Sequence, residues 1–487
     1  MRLLKDILYK AGSVELHGST NLAILSLTSD SRKVEKNSLF VAVKGIHSDG
    51  HDFISMAEEK GAIAIICEQL PSERKGKITY VVVSDSAFAL GVVASNFYDN
   101  PSSKLKLIGV TGTNGKTTVA TLLYQLYTQL GYTSGLISTV RNIIAEEVIP
   151  STHTTPDSVQ LQKLLDTMVK AGCSHAFMEV SSHAIDQKRI AGSKFIGGVF
   201  TNITRDHLDY HITFENYFKA KQQFFNTLGE DAFSLVNIDD PNGSGMSENT
   251  RSKIKTYALS QAADFRCKIM EKDFGGMLMR MDDKELWTPL IGTFNAYNLT
   301  AVYATAILLG QDKLRVLTGI SKLRSVEGRF EYIKSPGNVT AIVDYAHTPD
   351  ALENVLETIK EIRTGNEQVI TVVGCGGDRD AGKRPEMARI ATELSNRVIL
   401  TSDNPRTENP DEIIKQMQAG VEALHVKKTL SITDRREAIR TACALAQSGD
   451  IILIAGKGHE KYQEINGVKH LFDDLREIKE TFNLQGS

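Results

Sequence analysis

Apolar residues along the chain fall into short continuous runs that are separated by stretches with helical spacing. In the first part of the chain the runs SLFVAV, AIAIIC and ITYVVV predict strands, because each is short, apolar and bounded by polar positions. Farther along, KLKLIGV, HAFMEV, GGVFTNI and FSLVNI have the same character. Strands that alternate with helices in this way predict an α/β fold.

The last part of the chain shows this alternation most clearly. The apolar runs NVTAIVDYA, QVITVVG, RVILTSD, TLSIT and DIILIAG are separated by helical segments, and one of these begins with Asn409 as N-cap and Pro410 at the first helical position. The segment PDALENVLETIKEIR places five apolar residues on one helical face: Leu352, Val355, Leu356, Ile359 and Ile362. Strands joined by helices in this order predict a doubly wound, Rossmann-like domain.

Length and turn signals predict three domains. A chain of 487 residues is too long for one hydrophobic core. The turn-forming DNPSS at 99–103 ends the first alternating region, and a second boundary is expected near 332–337. The predicted domains therefore span residues 1–103, 104–332 and 333–487.

The composition is that of an ordinary globular protein. Apolar residues make up 41% and charged residues 24%, and 56 basic residues balance 59 acidic ones, which argues against a surface for nucleic acid or anionic membrane. The N-terminal MRLLKDILYKAG is broken by charges, and the apolar runs are far too short to span a bilayer. The five cysteines form no C-x-x-C pair. We therefore expect a reduced, cytoplasmic location with no nucleic-acid or membrane partner.

The loop GVTGTNGKTT, at 109–118, lies between the run KLKLIGV and a helical segment that ends at Gly131. Backbone N–H groups in a glycine-rich turn at a helix N-terminus can surround phosphate oxygens. The strict P-loop pattern requires glycine at position 110, whereas this chain has valine there and carries Gly109, Gly112 and Gly115. The alternative is an ordinary glycine-rich turn, but the flanking strand and helix favour a variant P-loop.

The chemistry of this loop suits a nucleoside triphosphate. Lys116 would neutralise β- and γ-phosphate charge, and the Thr117 hydroxyl would bind Mg²⁺. A second glycine-rich stretch, GCGGDR at 374–379, is similar to a dinucleotide fingerprint, but Arg379 occupies the position of the third glycine. We therefore predict a nucleotide at the first stretch and no NAD at the second.

One lysine stands on the apolar face of a predicted helix. In FENYFKAKQQFFNTL, at 214–228, helical spacing places Lys221 among aromatic residues. The common explanation is a stem lying along apolar surface with its ammonium in water. The preceding TNITRDHLDYH is rich in carboxylate and imidazole groups, so a buried cation facing a polar active centre is the other interpretation.

Metal-binding candidates are individually weak. The spacing His207-x-Asp209-x-His211 is compatible with a metal site, a salt-bridged loop or neither. Glu179 follows an apolar run and is either an oxygen ligand for Mg²⁺ or a carboxylate favoured near a helix N-terminus. The SSH at 181–183 lacks the G-x-S-x-G pattern of a serine nucleophile, so no covalent mechanism is indicated.

A set of motifs occurs in order along the whole chain: SDSR, GIHSDG, TGTNGKTT, MEVSSH, TNITRDHLDYH, GTFNAYN, EGRFE, DYAHTPDAL, GGDRDAGKRP, SDNPR and AGKGHE. This set resembles that of the Mur ligase family, the ATP-dependent amide-forming enzymes of peptidoglycan precursor synthesis. The resemblance implies a three-domain α/β architecture. Its parts would be an N-terminal UDP-sugar-binding domain, a central P-loop ATPase-like domain and a C-terminal Rossmann-like, amino-acid-binding domain.

The resemblance also implies a role for the buried lysine. Lys221 would react with CO₂ to give a carbamate (N6-carboxylysine), which converts a buried cation into an anionic metal ligand. His207 and Lys221 would then hold one Mg²⁺, and Thr117 and Glu179 another. The implied catalytic residues are Lys116, Glu179, His207 and Lys221. The implied ATP contacts are Gly112, Thr113, Asn114, Gly115, Lys116, Thr117, Thr118, Asn295, Arg329 and Asp344.

Two further substrate sites follow from the same resemblance. The implied UDP-sugar-peptide contacts are Ser29, Ser31, Thr154, Thr155, Ser181, Gln187 and Arg189. The implied amino-acid contacts are Arg379, Asp403, Asn404, Pro405, Arg406, Gly456 and Glu460. The planar guanidinium of Arg406 matches a carboxylate, and lysine lacks the second carboxylate of diaminopimelate, so Arg406 favours diaminopimelate over lysine.

The activity implied is that of a monomeric ligase. It would join meso-2,6-diaminopimelate to UDP-N-acetylmuramoyl-L-alanyl-D-glutamate, using ATP and passing through an acyl phosphate. The alternatives are the lysine-adding ligase of the family and a folylpolyglutamate synthase-like ligase, against which residues 1–103 argue. A P-loop switch or motor is an alternative of another class, but the sequence has no N-K-x-D motif, and the third domain would have no role in it.

Overall fold

The computed structural model describes residues 2–45, 48–151 and 153–484. Three large sheets, of five, eleven and six strands, follow one another along the chain, and each is packed against helices. The α/β class expected from the alternating pattern is confirmed.

The first sheet lies in the N-terminal part of the chain. Its inner strands run parallel, and the strand Ser13–His17 is antiparallel at one edge. Residues 46 and 47 of the GIHSDG motif lie outside the described residues. In spatial order the strands are Ser13–His17, Thr79–Val83, Ala62–Cys67, Ser38–Val41 and Ser26–Thr28, and the helices are Leu4–Ile7, Ile54–Glu59 and Ser86–Phe97.

The second sheet has a parallel centre with antiparallel strands at both ends. Its spatial order is Glu147–Pro150, Arg141–Ile144, Ser134–Ile137, His175–Glu179, Lys106–Thr111, Gly197–Phe200, Phe233–Asn237, Lys253–Ala258, Phe265–Asp273, Gly276–Met281 and Lys284–Thr288. The helices are Lys116–Gln129, Ser158–Lys170, Ser182–Asp186, Leu208–His211, Phe214–Asn226, Gly243–Met246, Thr293–Leu308 and Lys313–Ile320. The P-loop strand Lys106–Thr111 is central, so the loop after it opens at the carboxyl edge of the sheet.

The third sheet has one antiparallel edge strand, and its other strands are parallel. Its spatial order is Glu331–Lys334, Thr340–Asp344, Ile451–Ala455, Val369–Cys375, Arg397–Ser402 and Thr429–Ser431. The helices are Pro349–Ile362, Lys383–Leu394, Pro410–Gln418, Arg435–Leu445 and Asp474–Thr481, and a hairpin joins Tyr462–Ile465 to Val468–Leu471. Separate apolar clusters cover the two faces, which confirms the doubly wound prediction.

Local sequence signals explain where several helices begin. Thr348 caps the helix Pro349–Ile362 by accepting a hydrogen bond from Ala351 N, and Asn409 caps the helix Pro410–Gln418 as predicted. The five apolar residues predicted on one face of Pro349–Ile362 are all buried. The helix Phe214–Asn226 buries Lys221 together with Tyr217, Phe224 and Phe225, so the explanation of an ammonium in water is wrong here.

Two features of the fold differ from the sequence prediction. The expected boundary after residue 332 divides the strand Glu331–Lys334, which pairs with Thr340–Asp344 and so belongs to the third sheet. This strand alternates between half-buried and exposed residues, and it has no apolar run to reveal it. The hairpin strands between 265 and 288 were also not predicted, because their positions are held by pairing with neighbours rather than by a continuous apolar run.

Candidate active site

The conformation of the P-loop depends on its glycines and on contacts with the residues that follow the strand Gly197–Phe200. Gly112 and Gly115 have φ values of +152° and +85°. A Cβ atom at Gly112 would lie 1.9 Å from Thr201 Oγ1, so only glycine fits there. Asn114 N donates to Asn202 Oδ1 at 2.9 Å, and the helix Lys116–Gln129 starts directly after the loop. This arrangement presents backbone N–H groups to an anion at a helix N-terminus.

Two lysine ammonium groups converge on one carbonyl oxygen of this loop. Lys116 Nζ donates to Gly112 O at 3.0 Å and to Thr113 O at 2.8 Å. Lys221 Nζ donates to the same Gly112 O at 2.8 Å and lies 4.7 Å from the centre of the Tyr217 ring. Burial lowers the pKa of both lysines, and the Lys116 charge adds to the lowering at Lys221, whose pKa falls well below its usual value. Both effects shift Lys221 toward its neutral amine form.

Glu179 connects the P-loop to the neighbouring strand ends. It is the last residue of His175–Glu179 and is fully buried. Its Oε2 accepts from Thr117 Oγ1 at 2.9 Å, and its Oε1 accepts from Thr139 N at 2.7 Å. Arg329 Nη2 also donates to Thr117 Oγ1, at 3.2 Å. A hydroxyl and a carboxylate are thus side by side, which is the kind of oxygen pair that Mg²⁺ accepts.

His207 lies across the cavity from the P-loop in a left-handed conformation with φ 55°. Its Nε2 is 3.3 Å from Asp206 Oδ2, and its ring is 4.8 Å from that of His183. Burial lowers the pKa of His207 and favours its neutral form, which can bind a metal, whereas the adjacent Asp206 carboxylate opposes this shift. Burial raises the pKa of Asp206, but the charge of neighbouring His207 and of other cationic groups outweighs burial and lowers it.

A polar cavity of about 240 Å³ brings these residues together with loops of the third sheet. From the second sheet it is lined by the P-loop, Glu179, His207 and Lys221. From the third sheet it is lined by Arg379, Asp403, Asn404, Arg406, Gly456 and Glu460. All the residues expected to be catalytic and most of those expected to hold the amino acid therefore face one space. Pro405 does not line it.

A second cavity, of about 480 Å³, adjoins the other side of the P-loop. Thr118, Arg329 and Asp344 line it, as expected for nucleotide contacts. Asn295 does not line it, because its amide donates to Ile291 O at 2.8 Å and it contacts Asn298, whose side chain faces the cavity. Burial raises the pKa of Asp344 to about 6. Its Oδ2 accepts from Phe330 N at 2.6 Å.

The loops of the third sheet carry a buried charge network. Lys457 is fully buried, and its Nζ donates to Asn404 Oδ1 at 2.9 Å and to Glu460 Oε2 at 3.1 Å. Asn404 Nδ2 donates to the same Glu460 oxygen at 2.8 Å. A Cβ atom at Gly456 would lie 2.6 Å from Asp403 Oδ2, so this close approach requires glycine. The network fixes the Glu460 carboxylate at the cavity wall.

Two guanidinium groups face the same cavity. Arg406 has a left-handed backbone, and its Nη1 donates to Gly377 O at 2.6 Å. Its Nε is 3.8 Å from Glu464 Oε2, a distance at which the pair is only loosely held. Arg379 lies on the adjacent loop. This end of the cavity can therefore receive an anion.

The residues expected to bind the UDP-sugar peptide are divided. Thr154 and Ser181 line the first cavity. Thr155 Oγ1 donates to Glu179 O at 2.8 Å, and Arg189 donates to Gln187 Oε1 at 2.6 Å, so these residues form a connected wall behind it. Ser29 and Ser31, in the N-terminal part, line neither of the two cavities.

Several site residues were not identified from the sequence. Lys457 stands within the AGKGHE motif, but an isolated lysine in a glycine-rich turn does not indicate burial. Asn114 Nδ2 donates to Asp350 Oδ2 at 2.7 Å across 236 residues of sequence, and no local pattern predicts that contact. Thr139, which holds Glu179, lies outside every motif that was singled out.

Two structural findings bear on wider function. Every helix in the described residues is too short or too polar to cross a membrane. Within the same residues, no group of three or more histidine, cysteine, aspartate or glutamate side chains is arranged to hold a metal ion.

The P-loop lies on the parallel centre of the second sheet and shares a cavity with loops of the third, doubly wound sheet. These features define the class as an α/β P-loop enzyme. Profiles of known families narrow this class. The profile "Mur ligase family, catalytic domain" matches residues 23–101, "Mur ligase middle domain" matches 110–306, and "Mur ligase, glutamate ligase domain" matches 328–458. The chain belongs to the Mur ligase family.

Individual relatives match over nearly the full length. A UDP-N-acetylmuramoyl-L-alanyl-D-glutamate–2,6-diaminopimelate ligase from Cytophaga hutchinsonii is 57% identical over 484 residues, which cover 99% of each chain. The ligase of the same name from Bacteroides thetaiotaomicron is 56% identical over 481 residues, covering 99% of this chain and 100% of that one. A solved structure of a ligase with this name superposes with a TM-score of 0.71 at 35% identity, covering 99% of both chains.

Proposed function

We propose that this chain is an ATP-dependent ligase that joins meso-2,6-diaminopimelate to UDP-N-acetylmuramoyl-L-alanyl-D-glutamate. It acts in the cytoplasm, in the synthesis of peptidoglycan precursors, and as a monomer. One cavity that joins the P-loop to two guanidinium groups carries this proposal. Relatives that are more than half identical over the full length are diaminopimelate ligases by name, which supports the same substrates.

Each of the three sheets would bind a different substrate. We assign the UDP-sugar to the first sheet and its helices, ATP to the second and the amino acid to the third. The ATP would place its phosphates on the P-loop, and Arg329 and Asp344 line the second cavity, which would hold the rest of the nucleotide. The sugar peptide would pass Thr154 and Ser181 into the first cavity, and Ser29 and Ser31 would hold its uridine end outside both cavities.

The reaction requires activation of a carboxylate, because a free carboxylate has no leaving group that an amine can displace. The D-glutamyl side-chain carboxylate attacks the γ-phosphorus of ATP, and ADP leaves with the electron pair of the broken bond. The amine of diaminopimelate then attacks the acyl phosphate, and inorganic phosphate leaves. Lys116 lies where it can turn from the loop carbonyls toward the transferring phosphoryl group and offset its charge.

Mg²⁺ would be held by side chains of two kinds. Thr117 and Glu179 offer adjacent oxygen atoms, which fit one ion. His207 and Lys221 fit a second ion only if Lys221 carries a carbamate, because an ammonium has no lone pair to donate. The lowered pKa of Lys221 supports that modification, since CO₂ reacts with the neutral amine. Bound Mg²⁺ would supply charge neutralisation for phosphoryl transfer.

Recognition of the acceptor would depend on both ends of the amino acid. Glu460 and Asp403 can receive its ammonium group, and Arg379 and Arg406 can receive its far carboxylate. Lysine has no carboxylate at that end and would leave the guanidinium groups unpaired. Within the family this favours diaminopimelate over lysine. A folylpolyglutamate synthase-like activity is disfavoured by the full-length match to the diaminopimelate ligases.

The test is substrate-dependent release of phosphate. The purified protein should release almost none from ATP alone, and release should require both the UDP-sugar dipeptide and diaminopimelate. Lysine and ornithine tested in parallel should be poor acceptors. Steady hydrolysis of ATP without the other substrates would indicate a switch or motor, and preference for lysine would replace the proposed acceptor.

Isotope transfer tests the acyl phosphate separately. If ¹⁸O is placed in the D-glutamyl carboxylate, one labelled oxygen should appear in the released phosphate. Retention of all the label in the peptide product would exclude the acyl-phosphate route.

A further inference from the structure

The two loops that carry Arg379 and Arg406 are joined by contacts of residues that do not line the cavity. The Arg379 loop (376–382) follows the strand Val369–Cys375, and the Arg406 loop (403–409) follows the strand Arg397–Ser402. Neither loop is part of a helix or strand, and the single β-bridge of Arg406 pairs it with Ile465 rather than with the Arg379 loop. Other contacts must therefore hold the two guanidinium groups at a set distance.

Arg384 and Glu408 supply such contacts. The Arg384 side chain is 1% exposed and forms a two-point pair with Glu408, Nη1 to Oε2 and Nη2 to Oε1, both at 2.8 Å. Arg384 Nη2 also donates to Gly376 O at 3.1 Å. One guanidinium therefore holds the start of the Arg379 loop and the end of the Arg406 loop at once.

Glu408 extends the tie to the tip of the Arg379 loop. Its Oε1 accepts from Asp378 N at 2.6 Å, directly before Arg379. The Asp378 carboxylate in turn accepts from Thr407 Oγ1 at 2.7 Å. Gly377 N donates to Asn404 O at 2.9 Å, and a Cβ atom at Gly377 would lie 1.9 Å from Pro405 O, so the loop backbones are in direct contact.

We propose that Arg384 and Glu408 are positioning residues that fix the separation of Arg379 and Arg406 and thereby determine recognition of the far carboxylate of the acceptor. The inference rests on the proposed function, because that function supplies the acceptor. A planar guanidinium held by two carboxylate oxygens is a rigid connection, whereas one hydrogen bond would allow the loops to pivot. Neither residue lines the cavity, so both act through the two arginines.

The first variant is Glu408→Gln, which keeps the shape of the side chain but removes its charge. The Glu408 side chain is 35% exposed, so the variant is expected to fold. We expect kcat/KM for diaminopimelate to fall about tenfold, because a hydrogen bond between charged groups is replaced by a weaker one. The kcat at saturating acceptor and the KM for ATP should stay near those of the wild type.

The matched control lies on the same helix as Arg384. Arg389 pairs with Glu393 at 2.7 Å and 2.8 Å, but both side chains are on the surface and neither lines the cavity. Glu393→Gln removes the same charge from the same kind of pair. It should change kcat/KM for diaminopimelate by less than about twofold.

A double-mutant cycle separates positioning from general weakening. In an Arg406→Ala background, Glu408→Gln should cause little further loss of kcat/KM for diaminopimelate, because the group that it positions is gone. The proposal would be overturned if Glu408→Gln lowered kcat/KM for diaminopimelate by the same factor with and without Arg406. It would also be overturned if Glu408→Gln raised the KM for ATP as much as the KM for diaminopimelate. If Glu408→Gln does not fold, Glu408→Asp keeps the charge but cannot reach both Arg384 and Asp378 N, and the same outcomes apply.

Failure of the proposed function gives a different result. If the wild-type protein releases no phosphate in response to diaminopimelate, diaminopimelate is not its acceptor and the proposed function is refuted. If the wild type uses diaminopimelate but Glu408→Gln and Glu393→Gln have the same kcat/KM for it, only the positioning role is refuted.

Discussion

Lys221 and Lys116 both donate hydrogen bonds to the Gly112 carbonyl oxygen, so two ammonium groups lie close together in a buried site. The buried Lys221 side chain donates its hydrogen bond to this carbonyl oxygen, and its ring neighbour is Tyr217. Burial and the Lys116 charge both lower the pKa of Lys221, so the neutral amine is favoured in the folded protein. This is the state in which an amine can add CO₂.

Substitution of Lys221 tests its role directly. Lys221→Ala should lose nearly all ligase activity, by about a thousandfold or more if the residue acts on the transferring phosphoryl group. Added bicarbonate should raise the activity of wild-type protein prepared without CO₂ and leave the variant unchanged. Lys219→Ala, two residues earlier on the exposed face of the same helix, is the control. Full activity in Lys221→Ala would refute the carbamate role.

Arg406 offers a second residue-scale prediction. Arg406→Ala should raise the KM for diaminopimelate by about tenfold or more while the KM for ATP changes little, because a charge-assisted bond to a carboxylate is lost. Steady-state kinetics with each substrate varied in turn measures both constants. Similar changes in the two values, or no change, would place Arg406 outside the acceptor pocket.

Sequence periodicity was sufficient to place some of these residues but not others. Lys221 was located on a buried face because its helix is strongly amphipathic, and burial follows from helical spacing. Lys457 is equally buried, yet it lies in an irregular turn whose burial depends on the Asn404 and Glu460 side chains of distant segments. Residues in loops therefore needed the structure.

At the scale of elements, the packing of the P-loop helix on its neighbouring strand contains a buried histidine. His175 begins the strand His175–Glu179, and its ring lies 4.5 Å from that of Tyr127 on the helix Lys116–Gln129. Its Nδ1 is 2.8 Å from Ser174 Oγ, and its Nε2 is buried without a hydrogen-bond partner in the described residues. Burial lowers the pKa of His175 from 6.5 to about 4.

This histidine predicts a pH dependence of stability. Because the folded pKa is lower than the unfolded one, stability is lost as the pH falls from 6.5 toward 4. Between pH 7 and pH 5 the wild type should lose about 2 kcal/mol relative to His175→Phe. Denaturant unfolding of both proteins at the two pH values measures the difference. His470→Asn, on an exposed hairpin strand, should not reproduce it.

The elements themselves were predicted unevenly. Runs such as RVILTSD and DIILIAG became buried parallel strands because a strand covered on both faces must be apolar throughout. The strands between 253 and 288 and the strand Glu331–Lys334 were missed, because their place depends on pairing with neighbouring strands. The order of strands within each sheet also came only from the structure.

At the scale of the whole molecule, an ion network crosses from the second sheet to the third. Glu327 lies in the segment between them and accepts from Arg141 at 2.6 Å and from Lys461 at 3.0 Å. Directly after it, a Cβ atom at Gly328 would lie 2.1 Å from His459 N. The two sheets are therefore held together at the point where the cavities meet.

Weakening this network should weaken nucleotide use. Glu327→Gln should lower kcat/KM for ATP about threefold, because each partly exposed pair contributes less than about 1 kcal/mol. The deficit should shrink at high salt, where the wild-type pairs are screened. Glu285→Gln breaks an exposed pair within one hairpin and is the control. A deficit that is independent of salt would exclude an electrostatic origin.

The sequence by itself determined the α/β class, the P-loop, the amphipathic helix with its buried lysine and the family to which the chain belongs. The P-loop and the amphipathic helix are each encoded over a few neighbouring residues, where spacing decides which side chains are buried, whereas the class and the family follow from patterns spread along the whole chain. The tertiary structure alone decided that Asn114 contacts Asp350, that Lys457 joins Asn404 to Glu460, and that Arg384 ties two loops together. Those contacts join segments distant in sequence, and only the packing of complete sheets determines which loops meet.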